Sequence, residues 1–450
     1  MDEGFSGVVR ISNVSDFIAP SQACILPLRK DDPTINESLV SIRGKSSVER
    51  ADGTSKKVRV SLNDCLACNG CITSAETVLI QEQSTPMLLQ GLATCSVGVV
   101  TVSPQSVCSI AAKRGIEAQK TARLIARHFK RLGVRYVLDS SFGRYLTLAL
   151  SYDEFVERRH EAPILTSACP GFVCYAEKTH GDLLVPHISR VRSPQAMMGA
   201  LVKDYLARSI SVEPDKIFHA TVMPCFDKKL EASRPQFANK CREVDCVLST
   251  AEVDKLLDEA AGDDENEVDI AIEVNWLNAF ENGIIIGSPG GPSGGYAEYI
   301  VRRFISDSKV DRMIIRRTQK MKNLEAIEVI DGESVLLKVA KCYGFRNIQN
   351  LVQMMKRGKA EYDYVEVMAC PSGCANGGGQ IRAEKADMRQ KLLDSVVDNY
   401  EMLLPNIKLE NEIERVKTHW ESLSDRFAGL CYTSYQIVDR NVIEKMNLRW

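Results

Sequence analysis

Three cysteines, Cys65, Cys68 and Cys71, form a C-x-x-C-x-x-C run. Thiolates two residues apart let one tight loop wrap a metal centre while backbone amides turn toward the sulfurs, and Gly70 gives the backbone the latitude this needs. Two chemistries suit such a loop, an iron-sulfur cluster and a tetrahedral structural zinc. Either requires a fourth ligand, and Ile72 to Glu76 contain no cysteine. Zinc loops usually pair with a second C-x-x-C or with histidines, and the six histidines all lie well downstream, from His128 onward. The spacing therefore favours a cluster over zinc, with Cys24, Cys95 and Cys108 as candidates for the fourth position.

A second group is dispersed. Cys169 lies in Thr-Ser-Ala-Cys-Pro-Gly-Phe, Cys225 in Met-Pro-Cys-Phe-Asp-Lys-Lys-Leu-Glu, and Cys370 and Cys374 in Met-Ala-Cys-Pro-Ser-Gly-Cys-Ala-Asn-Gly-Gly-Gly-Gln. A single cysteine is most simply a small buried hydrophobe. Each of these segments, however, follows a short apolar or β-branched run that reads as a strand: Pro163 to Ser167, Ile217 to Met223 and Tyr364 to Met368. In open α/β sheets the carboxyl ends of strands converge on one crevice, so four thiols from three segments can meet there. Cys174, Cys241, Cys246, Cys342 and Cys431 have no such grouping and read as core or surface residues.

The elements that must position these cysteines alternate along the chain. Glu117 to Leu132 carries apolar residues at helical spacing, Val134 to Leu138 reads as a strand, and Cys246 to Ser249 is followed by a helical pattern at Ala251 to Ala260. That alternation predicts α/β layering with mainly parallel sheets. Three regions follow: residues 1–85, a polar, turn-rich domain in which a metal centre replaces the missing core; residues 86–404, an α/β core of two lobes; and residues 405–450, a helical C-terminal segment. Helical patterns run from Ala383 to about Leu403 and from Asn411 to Leu423. Asp258 to Asp269 reads as a solvated acidic loop. The glycine-rich loop Gly287 to Gly295 fits neither dinucleotide nor P-loop patterns, and reads as a close-packing loop or a helix start capped by Ser293.

Composition narrows the function classes. A hydrophobic fraction of 44%, a charged fraction of 26% and a net charge of -2 describe an ordinary globular chain with no basic field for nucleic acid or an anionic membrane. The longest apolar run, Leu88 to Val102, is interrupted by Gln90, Thr94, Ser96 and Thr101 and is too short to span a bilayer. The start, Met-Asp-Glu-Gly, lacks the features of signal and transit peptides, which points to the cytosol or nucleus. Fifteen cysteines in a reducing compartment are read as metal ligands or thiols rather than disulfides.

The first loop resembles three of the four ligands of a bacterial ferredoxin site. The segments around Cys169, Cys225, Cys370 and Cys374 resemble the signature of iron-only hydrogenases, a match that extends to Met223, Lys228, Glu231, Met368 and Gly377-Gly378-Gly379. Closer still is the hydrogenase-like, or NARF-like, family of cytosolic iron-sulfur protein assembly. That resemblance covers nearly the whole chain, including Asp16-Phe17-Ile18-Ala19-Pro20-Ser21 before Cys24, Gly294-Gly295-Tyr296-Ala297-Glu298-Tyr299 and Asn347-Ile348-Gln349-Asn350-Leu351-Val352. It implies an iron-only hydrogenase-like α/β core preceded by a small ferredoxin-like cluster domain. It also implies two [4Fe-4S] clusters, one on Cys24, Cys65, Cys68 and Cys71, the other on Cys169, Cys225, Cys370 and Cys374. The implied role lies between the scaffold that builds cytosolic clusters and the WD40-containing targeting complex that delivers them, with Trp450 docking on that complex although Arg449 departs from the family's acidic preference. Hydrogenases carry a proton-relay cysteine where this chain has Ala168, so the resemblance implies an assembly factor rather than an enzyme. The rival readings are an electron-transferring reductase or vestigial hydrogenase, and a module binding a prelamin-like tail.

Overall fold

The computed structural model describes residues 79–238, 241–259, 274–288, 290–308 and 312–438, together with the short paired strands β1 (Leu39–Val40) and β2 (Val60–Ser61). Cys24, Cys65, Cys68, Cys71 and Trp450 lie outside the described residues, as does most of the acidic stretch after Asp258.

The first lobe begins with α1 (Thr85–Thr94) and β3 (Val97–Val102), whose six residues are all buried, as a strand covered on both faces requires. α2 (Pro104–Arg114) starts at a proline behind Ser103, whose side chain accepts the Ser106 amide, and stops at Gly115 in the left-handed conformation. α3 (Ala118–Arg131) buries Thr121, Ala122, Ile125, Ala126 and Phe129 on one face, close to the helix expected from spacing. Then come β4 (Val134–Asp139) and α4 (Ser141–Arg158). After the second-lobe elements β5 (Ile164–Thr166) and α5 (Pro170–Thr179), the chain returns with β6 (Ile217–Met223), α6 (Asp227–Ala232), β7 (Cys246–Ser249) and α7 (Thr250–Glu259). The sheet is wholly parallel in the order β4-β3-β6-β7.

The second lobe adds α8 (Tyr296–Asp307), β8 (Met313–Met321), β9 (Leu324–Asp331), β10 (Ser334–Tyr343), α9 (Phe345–Lys356) and β11 (Tyr364–Met368). Its order is β5-β11-β10-β9-β8, with β5, β11 and β10 parallel and β10, β9 and β8 an antiparallel meander. The meander was not legible: β8 is mostly exposed edge, so its Arg316, Arg317, Gln319 and Lys320 break the apolar run that marks a buried strand. Its turns carry Asn323 and Gly332 at positive φ, a chemistry suited to tight hairpins.

Two long helices and then a short one, Phe427–Cys431, close the described chain. α10 (Ala386–Glu401) packs on α2, and α11 (Ile407–Leu423) starts behind Asn406, whose side chain accepts the Leu409 amide. That cap explains why α11 begins four residues before the apolar pattern at Asn411. Trp420 on α11 is fully buried in the first lobe, its indole N–H donating to Asp204 Oδ2 at 2.7 Å.

Candidate metal centre

Each dispersed cysteine stands just beyond the carboxyl end of a parallel strand. Cys169 follows β5 and sits at the N-cap of α5, with Pro170 in the first turn. Ser167 Oγ accepts the Cys169 amide at 3.0 Å and donates to Val367 O at 2.6 Å, tying the first cysteine segment to the third. Cys225 lies between β6 and α6, and its thiol donates to Asp227 Oδ2 at 3.4 Å. Cys370 and Cys374 follow β11 in a turn that passes through Ser372 and Gly373, both at positive φ. Cys169, Cys370 and Cys374 thus come from the second lobe and Cys225 from the first.

The glycine run joins these loops. The Gly379 amide donates to Pro224 O at 2.9 Å, and a Cβ on Gly377 would lie 2.1 Å from that oxygen. Only a hydrogen at these positions lets the Cys374 turn close on the Cys225 turn. From the other side the Cys374 amide donates to Ser293 Oγ at 3.0 Å. Ser293 is therefore not the helix cap that the sequence suggested. The amides at the start of α8, from Gly294 and Gly295 just before it and Ala297 in its first turn, donate instead to the Glu366 carboxylate at 2.9 to 3.2 Å. That occupied helix end also leaves those amides unavailable to a phosphate.

The four thiols are electrostatic neighbours. Burial, then Asp227, pushes the Cys169 thiol up to about 11, with Cys374 adding to the effect. Cys225 is raised well above the ordinary value by burial, Asp227, Cys370 and Cys169, and Cys370 by burial, Cys169, Cys374 and Asp227. Cys374 is raised by burial and opposed by two cations, Arg144 and Lys228. Lys228 is itself nearly buried and donates to Ser193 Oγ at 3.1 Å and Glu231 Oε2 at 2.8 Å. Gln195 completes this network, donating to Glu231 Oε2 at 2.9 Å. Met223 and Met368 are buried at the strand ends. Ala168 packs half-buried against the second-lobe core.

Such a set fits an iron-sulfur cluster. All four cysteines are free thiols, buried or partly buried, and Arg144 and Lys228 act on Cys374 to offset developing thiolate charge. Four sulfurs on one zinc would stand only about 3.8 Å apart at a bond length of about 2.3 Å. Among the described residues no three Cys, His, Asp or Glu side chains form a group that could hold a single metal ion. Of the reserve candidates for the first site, Cys108 is fully buried in the apolar first-lobe core, and Cys95 lies between α1 and β3. Arg144 escaped the sequence reading because it lies far from any cysteine in sequence, and Ser293 was read as a helix cap instead. Ser167, Asp227 and Glu366 lie two, two and four residues from Cys169, Cys225 and Cys370, but nothing in their local pattern shows which loop each one ties.

Fold and site together define a hydrogenase-like iron-sulfur architecture. The family model described as iron only hydrogenase large subunit, C-terminal domain, matches residues 96–378, and the chain belongs to that family. Among solved structures it is similar to the apo [FeFe]-hydrogenase HydA1 from Chlamydomonas reinhardtii, at 26% identity and a TM-score of 0.62, covering 78% of this chain and 99% of the other. Its full-length relatives bear a different kind of name. The chain is 58% identical to a probable cytosolic Fe-S cluster assembly factor of Brugia malayi, over 100% of this chain and 99% of that one. It is 49% identical to the probable cytosolic Fe-S cluster assembly factor oxy-4 of Caenorhabditis elegans and 42% identical to cytosolic iron-sulfur assembly component 3 of Rattus norvegicus, each over 100% of both chains.

Proposed function

We propose that this chain is a component of the cytosolic iron-sulfur protein assembly machinery, working in the cytoplasm and nucleus rather than as a hydrogenase. The observation that carries the reading is the convergence of Cys169, Cys225, Cys370 and Cys374 from two lobes, the first and third buried and the other two partly so. These four hold one [4Fe-4S] cluster, and Cys24, Cys65, Cys68 and Cys71 hold a second. A bound cubane supplies one-electron chemistry or serves as the unit passed on. The chain's own residues exclude water, bring the four sulfurs together and set positive charge beside them. Ala168 places a methyl where a relay thiol would stand, and a methyl neither donates nor accepts a proton. The partners in this reading are the upstream cluster scaffold and the WD40-containing targeting complex, with Trp450 as the docking residue. Support comes from relatives named as assembly factors along their full length. Anaerobic purification with iron and sulfide quantitation and electron paramagnetic resonance tests the cluster content. Equal iron and sulfide with two cubane signals is the expected result, and zinc without sulfide would refute it. Depletion in cells should lower the activity of cytosolic iron-sulfur enzymes; unchanged activities would refute the assembly role.

A further inference from the structure

Arg144 poses a problem that its direct partners do not solve. It stands on α4 with only 5% of its surface exposed, yet among the described residues no carboxylate lies within ion-pair distance of it. Its guanidinium donates to the Tyr400 hydroxyl and, at 2.9 Å, to Ser293 O. It also lies 5.8 Å from the centre of the Tyr400 ring. All of these partners are neutral. The nearby carboxylates are occupied elsewhere. Glu366 accepts three backbone amides and the Tyr343 hydroxyl, the last at 2.7 Å, and Asp139 accepts the amides of Ser141 and Ile286 at 2.7 and 3.0 Å. A buried guanidinium held only by neutral groups is costly unless an anion completes its surroundings. The other buried cation that acts on Cys374, Lys228, already has its carboxylate in Glu231.

Glu366 and Asp139 act on Arg144 only at longer range, and the guanidinium, with no anion paired to it directly, faces one place. Ser293 accepts Arg144 on its carbonyl and the Cys374 amide on its hydroxyl, so a single residue spans the cation and the thiol. We propose that Arg144 is the built-in countercharge of the buried cluster, a positioning residue that stabilises the negative charge carried by four thiolates and their metal core. The inference rests on the proposed reading that these thiols hold a [4Fe-4S] cluster. With four thiolates, the one-electron reduction of such a core from the 2+ to the 1+ level takes the whole from two negative charges to three. A fixed cation favours the reduced form. Removing one at roughly 10 Å in a medium of effective dielectric about 20 lowers the ratio of reduced to oxidised cluster about tenfold.

The test uses the full chain carrying Cys68→Ser, which disables the first site, loaded anaerobically and titrated with dithionite against redox mediators while the cubane signal is followed. Arg144→Gln keeps a donor for Ser293 O but removes the charge, and its midpoint should fall by about 59 mV, the equivalent of that tenfold change. Arg144→Lys restores the charge and should recover most of the shift. Tyr400→Phe removes the hydroxyl and leaves the cation, so it should lower thermal stability without moving the potential. That variant, with Arg144→Lys, keeps the test decisive where Arg144→Gln fails to accumulate. Full iron with an unmoved potential in Arg144→Gln, an Arg144→Lys midpoint displaced as far as that of Arg144→Gln, or an equal fall in Tyr400→Phe overturns the countercharge role. A parent chain that binds no cubane overturns the functional reading itself, which is a different result.

Discussion

Gly377→Ala isolates the contact that closes the thiol cradle. Gly377 has φ of -62°, a conformation open to any residue, so alanine introduces no backbone strain there. Its effect is steric alone: the new methyl would stand 2.1 Å from Pro224 O and 3.2 Å from Cys374 O. Backbone atoms cannot swing aside as a side-chain tip can, so the Cys374 turn must retreat from the Cys225 turn. Overpacking of this kind costs about 1–3 kcal/mol, and loss of the Gly379 amide bond to Pro224 O adds about 1 kcal/mol. At this chain length each kcal/mol is worth roughly 1–2 °C in Tm, so a fall of about 2–8 °C is expected in the apo chain. Iron retention should suffer more, because the displaced turn carries Cys374 away from Cys225. Gly429→Ala is the control: a Cβ there meets nothing within 4 Å, and alanine in that short helix should be neutral or stabilising by up to about 1 kcal/mol. Anaerobic thermal melts and iron assays on the two variants decide the matter. If Gly377→Ala binds full iron and melts with the parent, the close approach of the two loops is not what shapes the site.

Cys24→Ala should reduce bound iron by about one cubane while the α/β core stays folded, whereas Cys370→Ala or Cys374→Ala should also lower thermal stability; full iron in Cys24→Ala with loss in Cys95→Ala would reassign the fourth ligand. Removal of Trp450 should leave iron content unchanged and weaken co-purification with the targeting complex, and undiminished co-purification would count against docking through that residue. The purified chain should neither evolve nor consume hydrogen with a reduced or oxidised dye, and substantial turnover would contradict the role given to Ala168. His219 is fully buried between Thr101 Oγ1 and Glu243 O, at 2.8 and 3.0 Å, and burial lowers its pKa to about 3. The unfolded chain then binds the extra proton first, so the stability this neutral imidazole supports is complete above about pH 6.5 and lost toward pH 3 at about 1.4 kcal/mol per unit. Burial raises Asp139 to about 6, which acts in the opposite direction between pH 3.8 and 6, so His219→Gln compared with the parent isolates the histidine. Apo-chain denaturation at pH 7 and pH 5 should show the parent losing about 2 kcal/mol more than His219→Gln, and parallel losses would refute the assignment.

The sequence disclosed what depends on local pattern. Strands at residues 164–166, 217–223, 246–249 and 364–368 matched their apolar runs, and because each cysteine group stood just past a strand, the convergence of Cys169, Cys225, Cys370 and Cys374 could be reasoned out before any coordinates. β3 was hidden by its own apolarity: Leu88 to Val102 drew notice only as too short for a membrane span, although it contains an interior strand of the first sheet. The meander was hidden by the polarity of an exposed edge. Ser293 shows a third cause. Its position before a helical pattern suggested a cap, but Glu366, more than 70 residues away, takes the helix amides and releases the serine hydroxyl for Cys374. Local propensity loses that competition because an ionised acceptor bonds amides more strongly than a hydroxyl does.

Contacts of the same kind, between segments distant in sequence, shape the cysteine cradle. What brings the four sulfurs together is a set of contacts among loops: Ser167 bridging the amide of Cys169 to Val367 O, Gly377 and Gly379 against Pro224, and Ser293 beneath Cys374. None of these uses the side chain at 168. Lys228 is likewise held by Ser193 and Glu231 rather than by anything at that position. The Ala168 methyl packs half-buried against the second-lobe core and takes no part in these contacts.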